Sequence, residues 1–251
     1  IKANDVTITE TTDSRGYYLG SDGYYYAKVT ATPYYTNDYT FSTGSTVTNG
    51  TMYYFKVEPI KWRILEESDG TALILCESII ANKRYNECYE GIQKGAYSNN
   101  YMNSEIRAWL NNEFYNTAFN TLHQELIQIT NVDNSVDSTG YDINYNVCGN
   151  TNDKIFLPSY REMANTAYGF SSDNYAYDTA RRRLTSDYSR ATGAYMNTNT
   201  SYYGNGYWWL RSPSSSSRSS ARYVHYDVLS YSDYVNCTYI GVVPALKIRL
   251  S

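Results

Sequence analysis

The sequence predicts an α+β fold made of β-hairpins, two or three helices and long irregular loops. Segments rich in tyrosine and β-branched residues, separated by glycine, predict short strands near both ends of the chain. Between them, apolar residues at helical spacing predict helices. The chain has 251 residues and no repeat of fixed period. A chain of this length hides roughly 70–75% of its unfolded surface on folding, so it can build a sizeable core.

The chain is predicted to divide at position 51. Residues 1–51 form a polar segment of strands and loops packed on the main domain, with one strand at 24–30, where residues alternate and favour β structure. The main domain spans 52–251 and begins with a strand at 52–57. This division follows the denser apolar signal after position 51.

A hairpin is the predicted start of the main domain's core. Its first strand covers 60–65, and Asp69 and Gly70 predict the turn that leads to a second strand at 72–76. Alternation puts three apolar residues of the first strand on one face. They are Ile60, Trp62 and Ile64.

Helices are predicted after this hairpin. Residues 104–118 place Ile106, Trp109, Leu110 and Phe114 at helical spacing, with Ser104 as the cap. Capping-box patterns predict a second helix from Thr121 to beyond Gln124 and a short third helix from Ser159 to beyond Glu162. Residues 131–153 are predicted to be a polar loop, and 171–206 to be helical only around 178–184. Strands are expected at 207–211 and 241–250.

Composition excludes several classes of function. The formal net charge is −4, so no basic excess points to nucleic acid or an anionic membrane surface. No run approaches the ~20 apolar residues of a membrane-spanning helix. Two histidines in the whole chain argue against a His-rich metal enzyme. The 31 tyrosines and the polar, serine-rich remainder suit the cell exterior, and the start at Ile1 predicts a processed product of a precursor with a secretion or lipoprotein signal.

The sequence offers no catalytic signature. Nucleophile-elbow, zinc-protease, phosphate-loop and dinucleotide-binding motifs are all missing. His123 is predicted to lie on a solvated helix surface, and His225 has no neighbouring Cys or Glu. The run Arg181–Arg183 is interpreted as structural pairing plus solvated charge. We therefore predict a protein that is not an enzyme and has no metal or cofactor. The four cysteines, Cys76, Cys88, Cys148 and Cys237, permit three disulfide pairings or remain free thiols, and both alternatives stay open.

Residues 208–246 carry the functional prediction. An aromatic strand, WWLRSP (208–213), leads in and an apolar strand, GVVPAL (241–246), leads out. Between them lie Ser, Tyr, Asn, Asp and Arg with a sparse ladder of apolar residues. The composition is typical of a recognition surface, since tyrosine gives rigid contact area and serine and asparagine give adaptable hydrogen bonds. The apolar ladder is Ala221, Val224, Val228 and Val235.

These two motifs resemble the C-terminal signature WWLRSP…GVRPAL of a bacterial domain family of unknown function. The resemblance extends upstream through PIKWRIL (59–65), SEIRAWLNNEFYNTAF (104–119), TNDKIFLPSY (151–160) and DYSRATGAY (187–195), and so covers about residues 52–250. Val243 stands where the family usually has Arg. The family resembles the C-type-lectin fold, and its members with Tyr/Ser/Asn-rich C-termini include the variable proteins of diversity-generating retroelements, such as the treponemal variable protein.

The resemblance implies a variable face at 214–240, diversified by mutation at adenines. Asn-type codons altered in this way never encode Lys, Glu, Gln, Met or Trp, and 214–240 contains none of the five; the stretch 164–195 also lacks them. Trp208, Trp209, Ala221, Val224 and Val235 are the implied scaffold. The implied ligand-binding residues are Ser216, Arg218, Arg222, Tyr223, His225, Tyr226, Asp227, Leu229, Tyr231, Asp233, Tyr234, Asn236, Thr238 and Tyr239.

The function implied is that of a surface-displayed receptor or adhesin that binds a protein or other macromolecular ligand. Nucleic acid is not an expected partner, and membrane contact is expected only through a lipid anchor, as in an outer-membrane lipoprotein. A calcium-dependent sugar lectin is disfavoured because Glu58 and Pro59 are followed by Ile60 and no Trp-Asn-Asp occurs. Two alternatives remain: an enzyme like the formylglycine-generating enzymes, and a structural envelope protein with a fixed Tyr-rich surface.

Overall fold

A computed structural model describes residues 1–35, 39–89, 92, 93, 96–140 and 148–250 of the chain. The strands are β1 (Ile8–Thr12), β2 (Tyr18–Gly20), β3 (Tyr25–Thr30), β4 (Met52–Lys56), β5 (Trp62–Ser68), β6 (Thr71–Cys76), β7 (Ser78–Ile79), β8 (Ala81–Asn82), β9 (Ile92–Gln93), β10 (Ala96–Tyr97), β11 (Ile127–Gln128), β12 (Thr130–Val132), β13 (Thr151–Asp153), β14 (Leu184–Thr185), β15 (Tyr207–Pro213), β16 (Ser220–His225), β17 (Val228–Tyr234), β18 (Gly241–Val242) and β19 (Ala245–Arg249).

Helices are few and short, which confirms the predicted α+β class. They are α1 (Glu105–Trp109), α2 (Tyr115–Ala118), α3 (Thr121–Leu126), α4 (Val136–Thr139) and α5 (Asp187–Ala191), with 3₁₀ turns at Tyr101–Asn103, Glu162–Ala164, Thr166–Tyr168 and Thr179–Arg181. A π-helical turn, Leu110–Phe114, joins α1 to α2. Among the described residues, no helix has both the length and the apolar character needed to cross a membrane.

The N-terminal strands form an antiparallel sheet in the order β1-β2-β3-β4. β4 begins at Met52 and pairs with β3, so this sheet crosses the predicted division at 51, which stays a prediction. A separate small core lies beside the sheet. Its buried members come from both sides of the predicted division at 51: Ala31, Tyr39, Phe41, Val47, Phe55, Ala191 and Met196.

The predicted core hairpin is β5–β6, with Asp69 and Gly70 at its turn. Both have positive φ, 50° and 70°, as a tight two-residue hairpin turn requires. Trp62 and Ile64 share one face of β5 as predicted, since they lie opposite Cys76 and Ile74 in regular register. Pairing shifts between Ile64 and Glu66, so Leu65 is an extra residue on β5 and is buried, while Ile64 is 55% exposed. A bulge of this kind turns the following side chains to the opposite face.

Capping follows the predictions in two of three helices. The Ser104 hydroxyl accepts a hydrogen bond from the Arg107 amide. Ser159 and Glu162 form the reciprocal box: the Ser159 hydroxyl accepts from the Glu162 amide and the Glu162 carboxylate accepts from the Ser159 amide. For α3 the predicted cap is wrong by one residue, because the Asn120 side chain, not Thr121, accepts from the His123 amide.

Two predicted loop and helix assignments need correction. The predicted loop at 131–153 contains part of β12, α4 and β13, and β12 pairs with β13; residues 141–147 of that loop lie outside the described part. The helix predicted around 178–184 is a single 3₁₀ turn, Thr179–Arg181. It ends there because Arg181 and Arg183 are buried and donate to loop carbonyls, which holds the chain in extended form.

The main domain has two larger sheets joined by the C-terminal motif. One has the order β11-β19-β6-β5 and the other β17-β16-β15-β18-β8. The GVVPAL segment belongs to both, since β18 pairs in parallel with β15 and β19 pairs with β6. The predicted terminal strands are therefore confirmed, and they close the core between the two sheets.

Arg211 lies on β15 inside this core, only 1% exposed. Its guanidinium forms a two-pronged ion pair with Glu162, at 2.7 and 2.8 Å. It also donates to the carbonyls of Leu157 and Asp133 and to the Ser138 hydroxyl. One buried side chain thus holds three loop segments against the sheet.

We expect Arg211→Met to lower the free energy of unfolding by about 3–5 kcal/mol, because it removes the buried donor of the Leu157 and Asp133 carbonyls and leaves the half-buried Glu162 carboxylate without its partner. The control is Arg63→Met, which breaks the half-exposed Arg63–Glu77 pair of 2.8 Å and should cost about 0–1 kcal/mol. Urea unfolding followed by circular dichroism measures both. Equal losses in the two variants would contradict the role of Arg211.

Candidate ligand-binding face

The predicted variable segment folds into the hairpin β16–β17 at the edge of the five-stranded sheet. β16 pairs with β15, with Trp208 opposite Val224 and Trp209 opposite Tyr223. All five residues of the implied scaffold are fully buried, which confirms their predicted placement: Trp208, Trp209, Ala221, Val224 and Val235. The Trp209 indole donates to the Lys83 carbonyl at 3.0 Å. The hairpin therefore rests on a fixed support.

The hairpin turn is Tyr226 and Asp227, between His225 and Val228. Tyr226 has φ of +55°, in the left-handed region that favours glycine, at the first position of the turn. Asp227 is 1% exposed and accepts two hydrogen bonds from Arg182, at 2.9 and 2.7 Å. Placing Asp227 on the ligand surface was wrong, because this buried ion pair holds its carboxylate inside.

Two further predicted ligand residues are buried. Leu229 has no exposed surface, and Tyr223 is 6% exposed. Strand pairing shifts between Tyr223 and His225, so the alternation of faces along β17 breaks next to Leu229. The Leu229 amide also donates to the Asn174 carbonyl at 3.0 Å. These two side chains support the hairpin and do not belong to its outer surface.

The other eleven predicted ligand residues keep some exposure. Five are exposed: Ser216, Arg218, Tyr231, Tyr234 and Thr238. Six are half-buried: Arg222, His225, Tyr226, Asp233, Asn236 and Tyr239. They do not all lie on one side of the hairpin. Arg222 follows the opposite face from Tyr223, and its guanidinium lies over the Tyr160 ring at 4.6 Å.

A stack of four rings runs along one side of the sheet, and we call it the aromatic ladder: Tyr195, Tyr207, His225 and Tyr231. Successive centroids are 4.2, 4.6 and 4.3 Å apart and the rings are nearly parallel, with interplanar angles of 2°, 21° and 23°. Tyr231 ends the ladder and is 43% exposed. The inner rings are covered on their faces by their neighbours, so the ladder offers ring edges and hydroxyl groups to a ligand.

Hydroxyl groups join the ladder to the turn. The Tyr226 hydroxyl lies 2.9 Å from that of Tyr195 and 3.1 Å from that of Tyr207. Burial, with the Tyr226 hydrogen bond, raises the pKa of Tyr195 to about 12, and the same two causes raise the pKa of Tyr207 further. These phenols are therefore neutral hydrogen-bonding groups at physiological pH. The network also gives a reason for the strained turn residue to be tyrosine.

Reasoning from the sequence missed several members of this face. Tyr34 lies 4.9 Å from the Tyr239 ring and 5.8 Å from the Tyr195 ring, and Tyr35 packs on Tyr34 at 4.6 Å. Tyr202 stacks on Tyr226 at 5.0 Å. The three missed residues, Tyr34, Tyr35 and Tyr202, all lie outside 214–240. The Tyr34-Tyr35 doublet in the N-terminal segment was the one available signal, and only the fold brings it to the hairpin.

Comparison with known proteins gives one match. The family model described as a domain of unknown function, DUF6273, matches residues 69–250. The chain belongs to this family. No curated protein and no solved structure matches the chain. The DUF6273 region contains the whole hairpin and its support but excludes Tyr34 and Tyr35.

The reactive groups of this DUF6273 protein are few. In the described part of the chain, Cys76, Cys148 and Cys237 form no disulfide, and the alternatives left by the sequence stay open. Burial raises the pKa of Cys76 to about 11 and that of Cys237 to about 12, and thiols of this kind are poor nucleophiles. Within the described ranges, no three His, Cys, Asp or Glu side chains gather as metal ligands.

We expect Trp209→Ala to cost about 3–5 kcal/mol of unfolding free energy, as large-to-small changes in a core do. Tyr231→Ala should cost only about 0.5–1.5 kcal/mol, because it loses one stacked neighbour at an exposed site, and Tyr234→Ala, 55% exposed, should cost a similar amount. Urea unfolding of the three variants tests this. If Tyr231→Ala is as unstable as Trp209→Ala, the face is part of the core.

A second prediction concerns pH. Burial between Tyr207 and Tyr231 lowers the pKa of His225, and Asp227 opposes this only in part. As pH falls through 6.5, the unfolded chain therefore takes up a proton more readily than the folded chain, and stability decreases. His225→Gln should remove this part of the decrease. His123→Gln, at an exposed site on α3, is the control and should keep it; an unchanged pH profile in His225→Gln would refute the assignment.

Proposed function

We propose that this protein is a surface-displayed receptor or adhesin whose C-terminal hairpin binds a protein or other macromolecular ligand. The observation that supports this most is that exposed side chains and fully buried support residues are clearly separated at one hairpin. Exposed and half-buried side chains such as Tyr231 and Tyr234 lie over a support whose tryptophans are fully buried. A surface of this kind can change its contact residues at small cost in stability.

Diversification by a retroelement is part of the proposal. It requires positions that vary without disturbing the core, and the five exposed residues above are the best candidates for such positions. It also requires that buried positions stay constant, which we expect for Leu229 and Asp227 as well as for the scaffold. The C-type-lectin-like fold belongs to the same proposal and rests on the resemblance of the motifs.

A protein ligand suits this face better than a sugar. Sugars bind aromatic side chains through open ring faces, whereas the inner rings of the ladder cover one another. Ring edges, phenol hydroxyls and the nearby Asp233 and Tyr239, which are hydrogen-bonded to each other, suit the mixed polar and aromatic contacts of protein interfaces. Tyrosine and arginine are also the residues most often found as energetic centres of such interfaces.

The two alternatives have less support. An enzyme like the formylglycine-generating enzymes needs reactive paired cysteines, and the raised pKa of Cys237 disfavours a thiolate there. None of the hairpin contacts described above favours a fixed envelope protein over a binding surface. Surface display through a lipid anchor, without nucleic-acid partners, stays part of the proposal.

Sequencing of sibling gene copies tests the proposal directly. We expect substitutions at Asn-type codons to concentrate at exposed hairpin positions such as Tyr231, Tyr234 and Thr238, with an adenine-rich template nearby. The internal control is the buried set, above all Val224 and Leu229, which should not vary. Even scatter across buried and exposed positions, or an invariant hairpin, would contradict diversification.

A further inference from the structure

An open groove of about 1010 Å³ lies on a different part of the molecule. The N-terminal sheet, the helices α1–α2 and the sheet that contains β5 and β19 form its walls. None of its lining residues belongs to the hairpin region 208–240. Its volume is at the upper end of the range of ligand-binding pockets, about 300–1,000 Å³.

A continuous row of aromatic rings forms one wall of the groove. Trp109 lies 5.3 Å from Phe114, Phe114 lies 5.9 Å from Phe119, and Phe119 lies 6.2 Å from Trp62, between ring centroids. Ile60 and Ile80 add aliphatic surface, and both are half-buried. Trp62, Trp109 and Phe119 are half-buried as well. An elongated apolar ligand would cover this row.

Charge at the groove is positive although the whole chain carries −4. Four cations line the groove, against the carboxylates of Glu58 and Glu113. Two of the cations are engaged by residues that do not line the groove: Arg15 pairs with Asp13 at 2.8 Å, and the Lys56 ammonium lies over the Tyr24 ring. The other two are Lys61 and Lys83.

Lys83 is the better placed of these two lysines. Its ammonium lies 5.1 Å from the Trp109 ring centroid, at the end of the aromatic row. Its carbonyl is held by the Trp209 indole, which fixes the backbone from the core side. In the described part of the chain, no carboxylate forms an ion pair with Lys83 or Lys61. The groove thus joins an apolar row to a lysine, Lys83, that forms no ion pair within the described residues.

We propose that this groove binds a free single-chain anionic amphiphile, a fatty carboxylate, with its alkyl chain along Trp109, Phe119 and Trp62 and its carboxylate at Lys83. Each buried methylene of the chain contributes favourably by leaving water, and the carboxylate supplies an ion-pair partner for the Lys83 ammonium. This site is independent of the proposed function of the hairpin.

Dodecanoate, below its micelle concentration, is the probe, and dodecanol and dodecyltrimethylammonium are the matched ligands. Isothermal titration calorimetry on the whole chain should show saturable binding of dodecanoate, weaker binding of dodecanol and none of the cation. Bromododecanoate should quench tryptophan fluorescence, and the quenching should fall in Trp109→Phe. Trp208 and Trp209 are fully buried, so they contribute little to it.

Lys83→Gln should weaken dodecanoate binding roughly tenfold, the size of one charge-assisted hydrogen bond, and should leave dodecanol binding unchanged. The control is Lys154→Gln, since the Lys154 ammonium also lies over an aromatic ring, that of Tyr115 at 3.9 Å, but outside the groove. Tyr231→Ala should bind dodecanoate as the unchanged protein does, which separates this test from that of the hairpin. Circular dichroism checks the fold, and Lys83→Met replaces Lys83→Gln if that variant does not fold.

Three results would overturn the proposal. They are no saturable binding of dodecanoate, equal binding of the cationic amphiphile, and equal loss in Lys83→Gln and Lys154→Gln. Binding only to vesicles of anionic phospholipid, with no binding of monomeric dodecanoate, would also overturn it and would point to a membrane surface instead. So would capture of an amphipathic helical peptide with dodecanoate unable to compete.

Discussion

The ion pair of Arg211 with Glu162 is the constraint on which the main domain depends. Much of this chain is loop, and loop carbonyls inside a protein need donors that regular structure does not supply. A guanidinium has five N–H groups in a fixed plane, so one side chain can bind several segments at once. Arg211 does this for the loops around Asp133, Ser138 and Leu157, and Glu162 balances its charge.

Arg181 and Arg183 are also buried and also donate hydrogen bonds to backbone carbonyls. Arg181 donates to the carbonyls of Met163 and Asp227, and Arg183 donates to the carbonyl of Cys76. Burial lowers the pKa of Arg183 to about 10, so it keeps its charge at physiological pH. The run at 181–183 was predicted to be partly solvated. Its structural role is confirmed for all three, but Arg181 and Arg183 are buried, because the loops around them have carbonyls to satisfy.

The hydrogen bonds of these arginines fix the support of the hairpin and leave its outer surface uninvolved. Arg182 holds the hairpin turn through Asp227, and the tryptophans of β15 hold β16 from below. Side chains on the outer surface, such as Tyr231, therefore contribute little to the support of the hairpin. The aromatic ladder is divided in the same way: its inner rings pack against one another, and its last ring, Tyr231, is exposed. The apolar groove lies apart from both, so the molecule has two surfaces that can be tested separately.

Local signals in the sequence were sufficient for much of the fold. The turn at Asp69 and Gly70 and the capping box of Ser159 with Glu162 follow from residue chemistry over a few positions. Such features depend on neighbours in the chain, and their energies are decided before distant segments meet.

Tertiary structure alone decided which of those residues face outward and what lies beside them. A shift in strand pairing buried Leu229, and an ion pair with a residue 45 positions away buried Asp227. The chain's path brought Tyr34 and Tyr35 next to Tyr239. Residue types by themselves determined that a polar, tyrosine-rich segment lies between two apolar strands. Register and long-range pairing determined its membership, because both depend on contacts that no local pattern encodes.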